Sequence, residues 1–317
     1  VKIVIAGGSG QLGTLVAGSR HAAGDDIVVL SRTAHYAPWR TVPWDGKTVG
    51  PWATEFDGAD VVLNLAGRSV NCRYTPANRR AIMESRVDST RAIGEAIAGS
   101  ARPPKVWLQM STATIYAHRY DVPNDERSGI IGGSEPGAPE TWRFSIEVAT
   151  AWEAALDEAV VPETRKVKLR SAIVMSPLRG SPFDILLRLV RFGLGGRAGD
   201  GRQYVSWIHD ADFVRAVEWI IGDASLSGAV NLAAPNPLPN ERFMRELRKA
   251  WGMPIGLPSP AWLLEIATRA IGTESELVLK SRRVVPGVLV ERGFTFKFQT
   301  WDTAARDLCG RTRAQEH

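Results

Sequence analysis

The stretch Val1-Lys2-Ile3-Val4-Ile5-Ala6-Gly7-Gly8-Ser9-Gly10-Gln11-Leu12-Gly13-Thr14 is an apolar strand-like run that breaks into glycines and continues as a helical pattern. Two spacings coexist in it, Gly7-x-x-Gly10-x-x-Gly13 and Gly8-x-Gly10-x-x-Gly13. One glycine allows a sharp turn, one lets the backbone approach a pyrophosphate, and one packs helix against strand. The helix start then turns free N–H groups and the positive end of its dipole toward phosphates. A phosphate loop of the NTPase kind shares the Gly8-x4-Gly13 spacing. Gly13 is followed directly by Thr14, however, so the lysine that reaches the β- and γ-phosphates is missing. Dinucleotide binding is the expectation, with Gly7, Ser9, Gly10, Gln11, Leu12 and Gly13 as contacts.

Outward from that turn, the first half alternates apolar runs with helical patterns. Runs at Val1–Ala6, Ile27–Ser31, Val61–Leu65, Val106–Met110 and Val167–Val174 read as strands. Gly13–Ala23, Pro76–Ala98 and Phe144–Ala159 read as helices. This rhythm predicts an α/β protein: a Rossmann-like doubly wound parallel sheet, covered on both faces. Gly129–Pro139, rich in Gly and Pro, reads as a mobile surface loop. From Ser176 the rhythm changes. A helix over Phe183–Phe192 leads to Gly193-Leu194-Gly195-Gly196, then a strand at Tyr204–Ile208 and a helix at Asp212–Ile221 with Asp212 near its N-cap. Helices at Asn240–Trp251 and Pro260–Ile271, a strand at Phe294–Phe298 and a polar tail follow. Residues 1–175 with about 204–233 are expected to form the cofactor domain. About 176–203 and 234–317 are expected to form a smaller α+β lobe on the substrate side.

Composition excludes several classes. The 317 residues are 44% hydrophobic and 23% charged, ordinary values that argue against disorder, collagen and coiled coil. The +5 net charge is spread out, and its densest spots, Arg79-Arg80 and Arg282-Arg283, are only pairs. Nucleic-acid binding normally needs a clustered basic face, so an anionic small ligand is the better use of the surplus. Cys72 and Cys309 cannot make a disulfide framework, and five histidines show no paired metal-ligand spacing. With no leader pattern at Val1 and no apolar stretch near the ~20 residues that span a bilayer, the expectation is a cytoplasmic chain with no membrane, nucleic-acid or metal partner.

The end of the second strand discriminates between cofactors. A carboxylate there would bond the ribose 2′-OH of NAD, whereas an arginine accommodates a 2′-phosphate. The sequence is Leu30-Ser31-Arg32-Thr33, which favours NADP(H), with Ser31 and Arg32 as contacts. A third signal is Asn64-Leu65-Ala66-Gly67, where an apolar strand ends in small residues. Leu65, Ala66 and Gly67 would admit ribose and phosphates at the carboxyl edge of the sheet.

These residues, together with Ser111-Thr112-Ala113-Thr114-Ile115-Tyr116, resemble the extended short-chain dehydrogenases/reductases of the nucleotide-sugar epimerase type. Further segments resemble an atypical, NADP-binding branch described as the epimerase family protein group. They are Trp44-Asp45, Ser85-Arg86-Val87 with Thr90, Trp152-Glu153, Gly193 to Gly196, Gly201-Arg202-Gln203, Ser206-Trp207-Ile208-His209 and Gly293-Phe294-Thr295-Phe296. The resemblance spans essentially the whole chain. It implies cofactor contacts at Arg86 and Ser111, an adenine site at Trp44 and Asp45, and a substrate side at Arg202, Gln203 and Trp207. Arg202 would pair with a substrate anion.

The superfamily's chemistry uses a Ser or Thr on the substrate oxygen, a Tyr as proton donor, and a Lys four residues later that lowers the phenol's pKa. The five tyrosines here, Tyr36, Tyr74, Tyr116, Tyr120 and Tyr204, are followed at that distance by Arg40, Asn78, Tyr120, Asn124 and Ile208. The pair is absent. Thr112 stands in the Ser/Thr place, and Tyr116 or His209 is the expected proton donor. The expected function is NADP(H)-dependent oxidoreductase or epimerase chemistry on a small polar substrate, anionic or nucleotide-sugar-like. The alternative is a cofactor-binding sensor or partner-binding protein without turnover.

Overall fold

The computed structural model describes residues 1–33, 36–260 and 279–316. Seven parallel strands form the central sheet: β1 (Lys2–Ala6), β2 (Asp26–Ser31), β3 (Arg40–Pro43), β4 (Val61–Asn64), β5 (Val106–Thr112), β6 (Arg165–Ser171) and, after three strands outside this sheet, β10 (Gly228–Leu232). Their spatial order is β3-β2-β1-β4-β5-β6-β10. The order reverses between β1 and β4, which pair from Ile3↔Val61 to Ala6↔Asn64. In sheets of this kind ligands settle at such a reversal, beyond the carboxyl ends of the strands. This is the doubly wound architecture expected from the alternating pattern, with two strands, β3 and β10, that the sequence reading missed. β3 is a short edge strand of only four residues, RTVP, none of them fully buried, so it carries no apolar run.

Strand parity distributes the core. Ile3, Ile5 and Val29 face α1 (Gln11–Ala22) and α5 (Asp210–Gly222), packing with Val16, Phe213 and Val217. Val4, Ala6, Val28 and Leu30 face the other way, toward α2 (Pro76–Ala98) and α3 (Glu140–Glu158), with Ile93, Trp107 and Leu156. Alternate strand residues point to opposite faces, and both faces are covered, so the strands read as unbroken apolar runs. α2 starts where expected because Pro76 follows Thr75, whose hydroxyl accepts from Asn78 N–H.

A third core joins Met175 of β7 (Ile173–Met175), Trp207 of β9 (Trp207–His209), α4 (Pro182–Arg191), α6 (Asn240–Trp251) and α8 (Trp301–Glu316). Leu289 of the short helix α7 (Gly287–Glu291), with Phe294 and Phe296, packs instead into the sheet core. The run 165–175 is broken at Ala172, β6 belonging to the main sheet and β7 pairing with β9. Residues 204–209 split likewise, β8 (Tyr204–Val205) pairing with β11 (Leu238–Pro239).

Several expectations are corrected. The polar tail is α8, a 16-residue helix that buries Trp301, Ala304, Ala305, Leu308 and Cys309. Phe294–Phe298 makes no strand ladder, since Lys297 and Phe298 N–H donate to the Asp212 carboxylate, each at 2.8 Å. Asp212 lies in the first turn of α5, near its N-cap as expected, the cap itself being His209. The segment 129–139 is tied to the chain after β5 by Ala117 N–H to Ile130 O (2.8 Å) and Gly132 N–H to Ile115 O (2.9 Å). The helix expected at Pro260–Ile271 falls, from residue 261 on, outside the described residues.

Candidate functional site

The glycines of the first turn have separable reasons. Gly7 adopts φ +70°, and a Cβ there would lie 2.7 Å from Ala66 Cα. A Cβ on Gly13 would lie 2.4 Å from Gly8 Cα, so its absence lets α1 close on the turn. Gly10 differs. It has φ −78°, which any residue adopts, and the nearest atom to its virtual Cβ is Gly7 O at 3.8 Å. Nothing inside the protein requires a glycine at Gly10; the space beside it opens outward. Gly10 is also the N-cap of α1, no side chain caps the helix, and its first turn carries no acid. The first N–H groups of α1 thus face outward uncompensated. Gln11 reaches across to Arg179 O at 3.1 Å, and Leu12 packs on the sheet core.

Around the turn, Leu65 N–H donates to Ala6 O (2.9 Å) and Ala66 N–H to the buried Asn64 side chain (3.0 Å). The Asn64 amide is held in turn by Gln109 at 3.0 Å. Ser31 is buried at the end of β2 and its hydroxyl donates to Ser9 Oγ at 3.2 Å, joining the strand end to the glycine turn. The adjacent Arg32 is exposed and has no ion pair or hydrogen bond among the described residues. Trp44 is buried edge-on to Trp52, with ring centroids 5.4 Å apart. The Asp45 carboxylate closes a local turn on Lys47 N–H (2.8 Å), Thr48 N–H (2.9 Å) and the Thr48 hydroxyl, which together hold it below the ordinary carboxylate range.

Beyond the end of β5 lies a cavity of about 120 Å³, walled by Val70, Ile82, Phe144, Val148 and Trp152. Thr112 lines it, with its Oγ accepting from Thr114 N–H at 3.1 Å. That hydroxyl keeps its own proton to donate. Arg86 of α2 also lines the cavity, its guanidinium 5.0 Å over Trp152 and donating to Arg68 O and Ile82 O, each at 3.0 Å. Arg86 has no carboxylate partner among the described residues, and burial pushes its pKa down to about 10. Thr114, Arg282, Ser145 and Tyr74 complete the polar lining among the described residues, and none of the four was expected from the sequence as a site residue. Ser145 had a faint signal in its place on the helix that follows the Thr112 strand, whereas Tyr74 and Arg282 are remote from every motif.

Tyr116 does not enter the cavity, which revises its expected role. It is 2% exposed; its hydroxyl donates to Asn231 Oδ1 (3.0 Å) and accepts from Arg170 (2.9 Å). Burial pushes the phenol up, against the opposing effect of Arg170. Arg170 pairs with both oxygens of Glu153 at 2.8 and 2.7 Å, and Ser111 donates to Glu153 at 2.6 Å. Ser111 is therefore engaged in a buried network beneath the sheet edge.

His209 is likewise placed elsewhere. It is 1% exposed, accepts from Ala211 N–H as the α5 cap, contacts Asp307 at 3.1 Å and stacks on Phe298 at 3.8 Å. It lines a different cavity, of about 480 Å³, beside α1, α5 and α8, which contains no residue of the Thr112 cavity. Trp207 is fully buried against Trp301 in the third core and does not line the Thr112 cavity. Gln203 is buried, donating to Ala198 O at 2.9 Å, and Arg202 lies over the Tyr120 ring at 5.8 Å. The structure thus brings Thr112 and Arg86 together; the expected substrate-side cluster is not part of their cavity.

A parallel sheet in this order, with an uncapped glycine turn where the order reverses, defines a nucleotide-binding α/β protein of the Rossmann type. The chain belongs to the NAD dependent epimerase/dehydratase family, whose model matches residues 3–233. A domain of unknown function (DUF1731) matches residues 259–308. The chain is 28% identical to the epimerase family protein YfhF of Bacillus subtilis over 97% of this chain and 98% of that one. Its fold is similar to that of the human epimerase family protein SDR39U1, solved with NADPH: TM-score 0.84, 24% identity, covering 98% and 99% of the two chains. It is also similar to a nucleoside-diphosphate sugar epimerase of Corynebacterium glutamicum, with TM-score 0.76 and 27% identity, covering 98% of this chain and 58% of that one. Among the described residues, no helix is long and apolar enough to cross a membrane.

Proposed function

We propose that this protein binds NADP(H) and performs oxidoreductase or epimerase chemistry on a small polar substrate, anionic or nucleotide-sugar-like. The observation that carries the reading is Gly10: a glycine that the protein's own packing does not require, at the uncapped start of α1. A pyrophosphate explains it, because a side chain there would stand in the phosphates' path. Gly7, Ser9, Gln11, Leu12 and Gly13 would hold the pyrophosphate, and Leu65, Ala66 and Gly67 the adjoining ribose. Trp44 and Asp45 would flank the adenine, the latter through whatever acceptor capacity its turn leaves.

The choice of NADP over NAD rests on Arg32. It is an exposed guanidinium without an anionic partner among the described residues, beside a Ser31 that points into the turn. When bound, the nicotinamide would supply or take hydride. Thr112 would orient the substrate oxygen by donating its hydroxyl proton, and Arg86 would favour a negatively charged group in a cavity that no carboxylate lines among the described residues. The lobe of 176–203 and 234–317 would close over the cofactor domain, 1–175 with about 204–233, and cytoplasm is the setting in which both free cysteines persist.

Isothermal calorimetry with NADPH and NADH tests the reading. A charge-assisted bond from Arg32 to the 2′-phosphate, worth about 1.5–3 kcal/mol, gives a preference for NADPH of roughly 10- to 150-fold. Arg32→Glu should abolish or invert it. Absence of heat with either nucleotide, or an unchanged preference in Arg32→Glu, would refute the assignment.

A further inference from the structure

Three residues that line the Thr112 cavity hold hydrogen-bond donors in reserve. Arg86 spends Nη1 on Arg68 O and Ile82 O, whereas its Nε and Nη2 make no hydrogen bond among the described residues. Its guanidinium lies 5.0 Å over the Trp152 ring, and a Cβ on Gly67 would press on its Cζ at 3.1 Å, so the glycine beyond β4 makes room for the cation. Trp152 is 5% exposed, and its indole Nε1–H is buried without an acceptor among the described residues. Thr112 Oγ accepts from Thr114 N–H and keeps its own proton to give. Tyr74, Ser145 and Arg282 are engaged by other groups, Arg282 donating to Thr114 Oγ1 at 3.1 Å and the Tyr74 hydroxyl lying 3.5 Å from Ser145 Oγ.

A buried donor without an acceptor costs free energy until a ligand supplies one, and a desolvated cation gains most from an anion. Burial lowers the Arg86 pKa to about 10, which leaves it charged at neutral pH. The planar fork of a guanidinium matches the two oxygens of a carboxylate. Size narrows the choice. The cavity measures about 120 Å³. An apolar cavity of about 150 Å³ holds benzene, so this one takes a group of roughly five to seven heavy atoms. Pockets for larger ligands run to about 300–1,000 Å³, which leaves out a nucleotide with its sugar. Val70, Ile82, Phe144 and Val148 make the rest of the wall apolar, and such a wall suits a short hydrocarbon end better than a row of hydroxyls.

We propose that the substrate is a short-chain oxo acid or the corresponding hydroxy acid, its carboxylate held by Arg86 and the Trp152 indole N–H and its second oxygen by the Thr112 hydroxyl. The assignment rests on the nicotinamide reading above and replaces its broad substrate with one chemical class. The two members of such a pair differ by a hydride and a proton, which is the difference a nicotinamide dinucleotide exchanges. Arg86 sets specificity through charge, and the apolar wall sets it through chain length.

Saturation-transfer NMR of the full chain, with and without NADP⁺, gives Kd for pyruvate, 2-oxobutanoate and acetoacetate, and for the uncharged methyl ester of each. At least one acid should bind roughly 10- to 150-fold more tightly than its ester, the worth of charge-assisted hydrogen bonds to a carboxylate. Arg86→Gln should erase that preference by weakening the acid and not the ester, and Arg86→Lys should keep part of it. Trp152→Phe, which removes the indole N–H and keeps an aromatic ring, should weaken the acid roughly 2- to 10-fold. The comparison of acid with ester uses the unaltered chain, so it decides the matter even where a variant does not fold. Acids and esters that bind alike, an acid affinity unchanged in Arg86→Gln, or displacement of the acid by UDP-glucose from the NADP⁺-loaded protein overturns the proposal. If the acids bind as expected while neither NADP⁺ nor NADPH gives heat, the nicotinamide reading fails and the carboxylate site stands. If the dinucleotide binds and no acid does, the carboxylate site fails and the nicotinamide reading stands.

Discussion

Replacing the three motif glycines by alanine one at a time should separate folding from binding. At Gly10 the new methyl meets only Gly7 O at 3.8 Å, and φ −78° suits alanine. Two small effects then oppose each other. Restricting the unfolded chain stabilises by about 0.4–1 kcal/mol, and exchanging an N-cap glycine for alanine costs a similar amount. Gly10→Ala should therefore unfold within about 1 kcal/mol of wild type. In the complex the same methyl would crowd the pyrophosphate, and overpacking by about 1–3 kcal/mol weakens NADPH roughly 5- to 150-fold. Gly7→Ala must place a Cβ at φ +70° only 2.7 Å from Ala66 Cα. Left-handed strain and backbone overlap together should cost roughly 2–5 kcal/mol. Gly13→Ala drives a Cβ to 2.4 Å from Gly8 Cα, forcing α1 off the turn, and should also lose stability. Urea denaturation and NADPH calorimetry on the same preparations give both quantities. A folded Gly10→Ala that binds NADPH as tightly as wild type would refute the pyrophosphate argument. A Gly10→Ala that unfolds like Gly7→Ala would refute the steric one.

Two further outcomes probe groups that the site chemistry does not use. Glu153→Leu leaves the Arg170 guanidinium buried without its carboxylate and should cost about 3–5 kcal/mol in urea denaturation, most of it recovered in the double variant with Arg170→Met. His209 is held below the ordinary histidine value by burial, with Asp210 and Asp307 opposing in part. The unfolded chain therefore binds a proton at higher pH than the native one, so this contribution is fully present above about pH 6.5 and declines as pH falls toward the native pKa. Urea midpoints measured from neutral pH downward should fall more steeply for wild type than for His209→Gln; equal slopes would contradict that placement.

The Tyr74 hydroxyl approaches α3 at Ser145, 3.5 Å from its Oγ. The lining arginines come from α2 and from the segment at Arg282, almost 200 positions apart in the chain.

Much of the fold was legible in the chain because its causes are local. Strands buried on both faces must be apolar throughout, so β1, β2, β4 and β5 announce themselves. The glycine turn is readable because backbone stereochemistry and steric access act within a few residues. The start of α2 is readable for the same reason, through Thr75 and Pro76. Even the missing carboxylate after β2 speaks locally. Tertiary structure decided the rest. Tyr116 and His209 carry side chains that sequence assigns equally well to catalysis or to packing, and only the folded surroundings, Arg170 and Asn231 for one, Asp307 and Phe298 for the other, place them in buried networks. The C-terminal segment looked like a polar tail because its apolar residues form a narrow stripe that gains meaning only against Phe243, on which Trp301 stacks at 4.0 Å. Tyr74 meets Ser145 across 71 residues of chain. No spacing rule encodes such a meeting, because it depends on how two helices lie on one sheet.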